Sequence, residues 1–165
     1  MEQLNSEEKG EKMKNVEIST EVYELLNGQD LTDKQHEAMM LLTVGEDGWP
    51  HNAMISVGEI IAVNLMELRI GLWPNTSTTV NIIRSNKATL ILIYKGKAHY
   101  IRLSLERLEE LPNARYQRER FSAKVISARE DVAKYADITS GIKIKLKNNK
   151  EVVERWNQTL EDMRR

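Results

Sequence analysis

Residues 72–90, LWPNTSTTVNIIRSNKATL, carry the pattern that decides the fold. They run from an apolar strand end through a Pro-Asn turn into four consecutive hydroxyl residues, Thr76, Ser77, Thr78 and Thr79, then a short helical stretch and another strand. The free N–H groups of a helix start, joined by hydroxyl donors, form a neutral cradle for a phosphate or another anion. The same residue types also make an ordinary N-cap, whose side-chain oxygen accepts from an N–H one turn inside the helix. Both uses need the same local geometry, so the rest of the chain must separate them.

Upstream of this stretch, EAMMLLTV and WPHNAMISV flank GEDG, two apolar-rich segments around a turn at Asp47-Gly48, the mark of a β-hairpin. EIIAV and ELRIGLW follow as further strands. In the latter Leu68, Ile70 and Leu72 share one face, while Gly71 on the other leaves room for something to approach. Downstream, KATLILIY is a nearly continuous apolar run expected to be buried on both faces, and Lys95-Gly96 turns it into AHYIRLSLERLEEL. RFSAKVISA reads as another strand, and GIKIKLK at 141–147 as a lysine-guarded edge strand with Ile142, Ile144 and Leu146 inward.

Helical periodicity is confined to short pieces. Ser19 and Thr20 precede EVYELLN, with Val22, Leu25 and Leu26 on one face and Asn27-Gly28 as a stop. At the end, residues 149–163 form an amphipathic helix with Val153, Trp156, Leu160 and Met163 at spacings of three and four, which makes Trp156 a core residue. Roughly seven or eight strands joined mostly by hairpins predict a mainly β protein, a closed antiparallel barrel with peripheral helices. Residues 1–17 read as a polar tail and 18–165 as a single domain.

Composition narrows the function classes. With 24 Lys and Arg against 25 Asp and Glu, the net charge of −1 gives no global attraction to nucleic acid or an anionic membrane. The absence of cysteine excludes disulfides and thiolate chemistry, and the three histidines, His36, His51 and His99, lack zinc-ligand spacing. No run approaches the roughly 20 apolar residues of a membrane span, and a cytoplasmic protein is expected.

Single residues carry less. His51 follows Trp49-Pro50 on the hairpin and reads as a strand-surface histidine or as a hydrogen-bond donor beside a ligand. Trp49 either shields a cofactor or covers the barrel end. Asn81, on the first helical turn, ties that helix to a neighbouring loop or faces solvent. Arg115, Arg118, Arg120 and Lys124 are interrupted by Glu119, and are expected to form a solvated segment.

The succession MMLLTVGEDGWPHNAMISV, ELRIGLW, STTVNIIRSNKATLILIY and a further hairpin strand resembles the pyridoxamine 5′-phosphate oxidase-like FMN-binding split-barrel proteins, over about residues 36 to 111. The shared pattern is a first hairpin with a Gly-x-Pro turn, a strand ending in an aromatic residue, a Ser/Thr-rich helix start and a following apolar strand. DITSGIKIKL and RWNQTLEDMRR resemble the tail of an uncharacterised bacterial branch of that family. The resemblance implies a homodimer with FMN at the interface. Leu72 and Trp73 would border the flavin, Ser77, Thr78 and Thr79 would surround its phosphate, and the strand from Asn52, with Ser56 and Val57, would run beside the ring and ribityl chain.

The chain also departs from that pattern. The oxidases carry Arg and Lys on the second hairpin strand, where Ala53 and Gly58 stand here, and a basic pair where this chain has Thr78-Thr79. Arg84 and Lys87 are the nearest basic residues that would compensate by folding back. The Trp- and Arg-rich C-terminal segment that grips pyridoxal phosphate is missing, which argues against vitamin B6 oxidation. What the resemblance implies is a flavoprotein, an oxidoreductase of unknown substrate, with no catalytic acid or base demanded because the flavin supplies the redox chemistry. The alternatives are a deazaflavin- or haem-binding relative, and a cofactor-free interaction or stress protein on the same barrel.

Overall fold

The computed structural model describes residues 16–165. Eight strands and four helices follow in the order α1 (Thr20–Leu26), α2 (Leu31–Lys34), β1 (Glu37–Val44), β2 (Pro50–Ser56), β3 (Ile60–Ala62), β4 (Glu67–Leu72), α3 (Ser77–Ser85), β5 (Lys87–Tyr94), β6 (Lys97–Arg107), β7 (Glu119–Asp131), β8 (Ile142–Lys143) and α4 (Asn149–Arg164). All strand pairs are antiparallel, in the order β2-β1-β5-β6-β7-β4-β3, with β8 on the start of β1. The sheet curls around one core but its path ends at β2 and β3, which do not pair with each other. The barrel is therefore the split one that the family resemblance implies, where the hairpin pattern alone predicted a closed one.

Turn chemistry sets the register. Gly48 takes φ +82° in the first hairpin, where its N–H donates to the Gly45 carbonyl at 2.9 Å. Lys95 and Gly96 both have positive φ, the requirement of a two-residue turn whose twist matches the flanking strands. A bulge between Arg102 and Leu103, opposite Ser127 and Val125, pushes Ile126 out of the ladder.

Strand β5 alternates between buried residues (Ala88, Leu90, Leu92) and half-buried ones, so it is covered on one face and not on both. Its apolar outer face adjoins that of β1 and β2: Met40 lies between Met54 and Ile91, and Leu42 between Asn52 and Thr89. The inner face meets Phe121, Leu68, Ile70 and Ile101 in the core.

The N-terminal helix forms as its sequence predicts, capped by Ser19 and burying Val22, Leu25 and Leu26. Most of the expected tail lies outside the described residues; at its end Val16 packs on the core and the Ile18 N–H donates to the Leu65 carbonyl at 2.8 Å. The single turn α2 is absent from the sequence reading because four residues show no periodicity.

Helix α4 lies across β3 and β4, and two glycines admit it. A Cβ on Gly58 would sit 2.0 Å from Trp156 Cγ, and one on Gly71 would sit 2.7 Å from Met163 Sδ. The room that Gly71 leaves is thus occupied by the chain's own last helix. Trp156 is buried, as a core residue should be. Arg69 anchors the helix end by donating to the Met163 carbonyl at 3.0 Å.

Candidate functional site

Helix α3 starts at an N-cap, Thr76, whose Oγ1 accepts from the Thr79 N–H at 3.2 Å and donates to the Thr79 hydroxyl at 3.0 Å. The Thr79 hydroxyl in turn donates to the Trp73 carbonyl at 2.8 Å, which closes the turn onto the end of β4. Thr78 and Thr79 are buried, Ser77 is exposed. The capping use of this cluster therefore falls to Thr76 and Thr79. The N–H groups of Ser77 and Thr78 have no acceptor among the described residues and, with the Ser77 hydroxyl, form what is open for a ligand.

Ser77 and Asn81 line a cleft of about 370 Å³ whose other wall is the β1–β2 hairpin: Trp49, Pro50 and His51, with Glu46 and Asp47 at the tip. Asp47 is already engaged, since its Oδ1 accepts from the Trp49 N–H at 3.0 Å. Trp49 is 74% exposed and leans over the cleft mouth. The helix is locked to this hairpin from below, because Asn81 Nδ2 donates to Thr43 Oγ1 at 3.0 Å and Asn81 Oδ1 accepts from Arg84 at 3.1 Å. A second Arg84 nitrogen donates to the Val44 carbonyl. Arg84 is a clamp between α3 and β1 and does not turn back to the helix start.

At the other end of β2 the predicted residues meet different neighbours. The Ser56 N–H and hydroxyl both donate to Glu59 Oε2, at 2.6 and 3.0 Å, so this hydroxyl is held inside the β2–β3 turn. Burial raises the pKa of Glu59 despite the two Ser56 bonds and the nearby Arg118 and Arg155. Val57 and Leu72 are core residues, while Asn52 is exposed on the outer face of β2. Trp73 is half-exposed, and the Arg118 guanidinium stacks on its ring 3.4 Å from the centroid. Arg118, Glu59 and Arg155 come from three distant segments, and no local spacing marks them as neighbours.

The basic run is solvated only in part: Arg115 and Lys124 are exposed as expected, while Arg118 and Arg120 are not. Arg120 is only 7% exposed and donates to the Glu109 carbonyl at 2.9 Å, because it points under α4 beside Asp162. Lys87 lies apart from the α3 start, on a broad apolar groove of about 780 Å³ that includes Leu42, Val44, Thr89 and the bulged Ile126.

Among the described residues no cluster of three or more His, Asp or Glu has metal-binding geometry, and no helix is long and apolar enough to cross a membrane. His99 is buried beneath α1, where burial lowers its pKa despite Glu130 Oε1 at 3.8 Å.

No family model matches the chain. It is, however, 52% identical over 148 residues to the uncharacterised protein YclD of Bacillus subtilis strain 168, covering 90% of this chain and 96% of that one. The chain belongs to the YclD family. Among solved structures, a variant of HupZ from Group A Streptococcus superposes with a TM-score of 0.53 at 13% identity, over 68% of this chain and 98% of that one. A protein from Lactobacillus delbrueckii described as a candidate pyridoxamine 5′-phosphate oxidase gives 0.52 at 17% identity, over 68% and 93%. The fold of this YclD-family member is thus the split barrel of the pyridoxamine 5′-phosphate oxidase-like proteins.

Proposed function

We propose that this chain binds FMN as a homodimer and acts as a flavin-dependent oxidoreductase on a small molecule other than pyridoxamine phosphate. One observation carries the reading: exposed Ser77, whose N–H is unpartnered like that of the next residue Thr78, lines the cleft walled by Trp49 and His51. A helix start with free amides suits a phosphate, and a phosphate is what distinguishes FMN from riboflavin. The fit is partial. Thr79 and Ser56 spend their hydroxyls inside the protein, so Ser77 and the two amides would hold the phosphate, with Trp49, His51 and Trp73 along the ring side.

Bound flavin would supply hydride or electron transfer, leaving this chain to bind, orient and exclude water. The chain ends in helix α4, lodged in the Gly58 and Gly71 notches, and lacks the Trp- and Arg-rich C-terminal segment with which the B6 oxidases grip pyridoxal phosphate. That is the reason for excluding pyridoxamine phosphate as substrate. The dimer is supported by the outer sheet face, where Met40, Leu42, Val44, Met54 and Ile91 form a contiguous apolar surface next to the 780 Å³ groove. Obligate dimers cover such faces with substantially apolar interfaces.

The test is reconstitution of purified protein with FMN and, separately, riboflavin, followed by absorbance and light scattering. FMN uptake by a dimer, with riboflavin bound more weakly, is expected. A second reading, a cofactor-free interaction protein, is favoured by the internal use of the Ser56 and Thr79 hydroxyls. A colourless preparation that fails to take up FMN would select it, and a haem Soret band would redirect the cofactor assignment.

A further inference from the structure

Where the β6–β7 connection and helix α4 close on the β2–β3 turn, the charges do not balance. Arg118 lies flat on Trp73, and its one hydrogen bond among the described residues goes to the carbonyl of its neighbour Gln117 at 3.0 Å. Arg155 precedes the Trp156 that fills the Gly58 notch, and its Nε is buried without an acceptor. Neither guanidinium reaches a carboxylate at salt-bridge distance among the described residues. The acid near both is Glu59, whose Oε2 is taken by two Ser56 donors and whose pKa is raised by burial. Arg118 in turn has its pKa lowered by burial first and by Arg155 next.

A partly buried pair of like charges is costly unless something of opposite sign joins it. Stacking on the Trp73 ring fixes the plane of the Arg118 fork and leaves N–H groups at its edge, the geometry that grips a carboxylate or phosphate by two parallel bonds.

We propose that Arg118 and Arg155, with Trp73 as the platform, form a binding site for the anionic group of a small ligand, a carboxylate or a phosphate. The site is built from residues other than Ser77 and the α3 amides, and it shares only Trp73 with the flavin seat proposed above.

The experiment is an NMR titration of the full-length protein with inorganic phosphate and, in a second arm, succinate. The signals followed are the Arg Nε–Hε and Trp indole resonances. Saturable shifts of Arg118, Arg155 and Trp73 are expected, and the tighter arm names the source chemistry. Arg118→Gln and Arg155→Gln should each weaken binding at least about tenfold, the usual worth of a charge-assisted bond, and Arg118→Lys should weaken it less. If Arg155→Gln disturbs the Trp156 indole signal, the two Arg118 variants decide. No saturation in either arm, shifts confined to the Ser77 and Thr78 amides, or affinity untouched by the Arg118 variants would overturn the site.

Discussion

The start of helix α3 and the seam beneath helix α4 make opposite use of their polar groups. At α3 four adjacent hydroxyl residues announce a site in the sequence, yet Thr76 and Thr79 close the turn, Thr78 is buried, and Ser77 is left open. At the α4 seam nothing in the sequence stands out. There the fold gathers Glu59, Arg118, Arg120, Arg155 and Asp162, and leaves Nε of Arg120 and Arg155 and Oδ2 of Asp162 without partners. A local cluster is cheap to read and is spent on local structure. Charge that is assembled from distant segments is invisible until the chain is folded.

The contrast is sharpest in stability. Trp156→Ala should cost about 3–5 kcal/mol in denaturant unfolding, since it empties the Gly58 notch and frees α4. Gly58→Ala overpacks the same contact from the other side and should cost about 1–3 kcal/mol. If both were near neutral, α4 would not be an integral wall of the barrel. At the α3 start, Thr76→Ala loses only an N-cap, about 0.5–2 kcal/mol by the same measurement.

A smaller effect separates the seam by its pH response. The pKa of Glu59 is raised in the folded chain, so the stability it contributes is fully present below its unfolded value near 4.5 and is lost as pH rises through the folded value. Glu59→Gln mimics the protonated form and should flatten that dependence when unfolding curves are compared across this window. An unchanged pH slope would mean that Glu59 is better solvated than its burial indicates. His99 runs the other way, its pKa being lowered by burial under α1. Stability should fall as pH drops below 6.5 toward the folded value, and His99→Gln should remove that acid-side loss.

Much of the fold was legible because turn chemistry and alternation are local. Asp47-Gly48, Lys95-Gly96 and the Leu68, Ile70, Leu72 face each specify their hairpin or strand without outside help. KATLILIY misled because an apolar run reads as buried on both faces, whereas Ile91 and Ile93 lie on an outer face left half-buried in the single chain. The split between β2 and β3 was legible only through the family resemblance, since alternation within strands does not say whether the two sheet edges meet, and the Gly58 notch that Trp156 fills lies 98 positions before it. In the site, Ser77 and Trp73 were visible through their place on the strand-turn-helix pattern. Glu59 and Arg118 were not, because an acid in a turn and an arginine in a charged run look like solvated surface.

Ser77→Asp tests the phosphate seat most directly. An acidic residue at the first position of a helix favours the helix, so the fold should stand. The added charge should lower FMN affinity at least about tenfold by repulsion at close range, while riboflavin binding measured in the same titration stays within about twofold. A wild-type chain that takes up no FMN, or a Ser77→Asp variant that loses FMN and riboflavin equally, would contradict a phosphate bound at the start of α3.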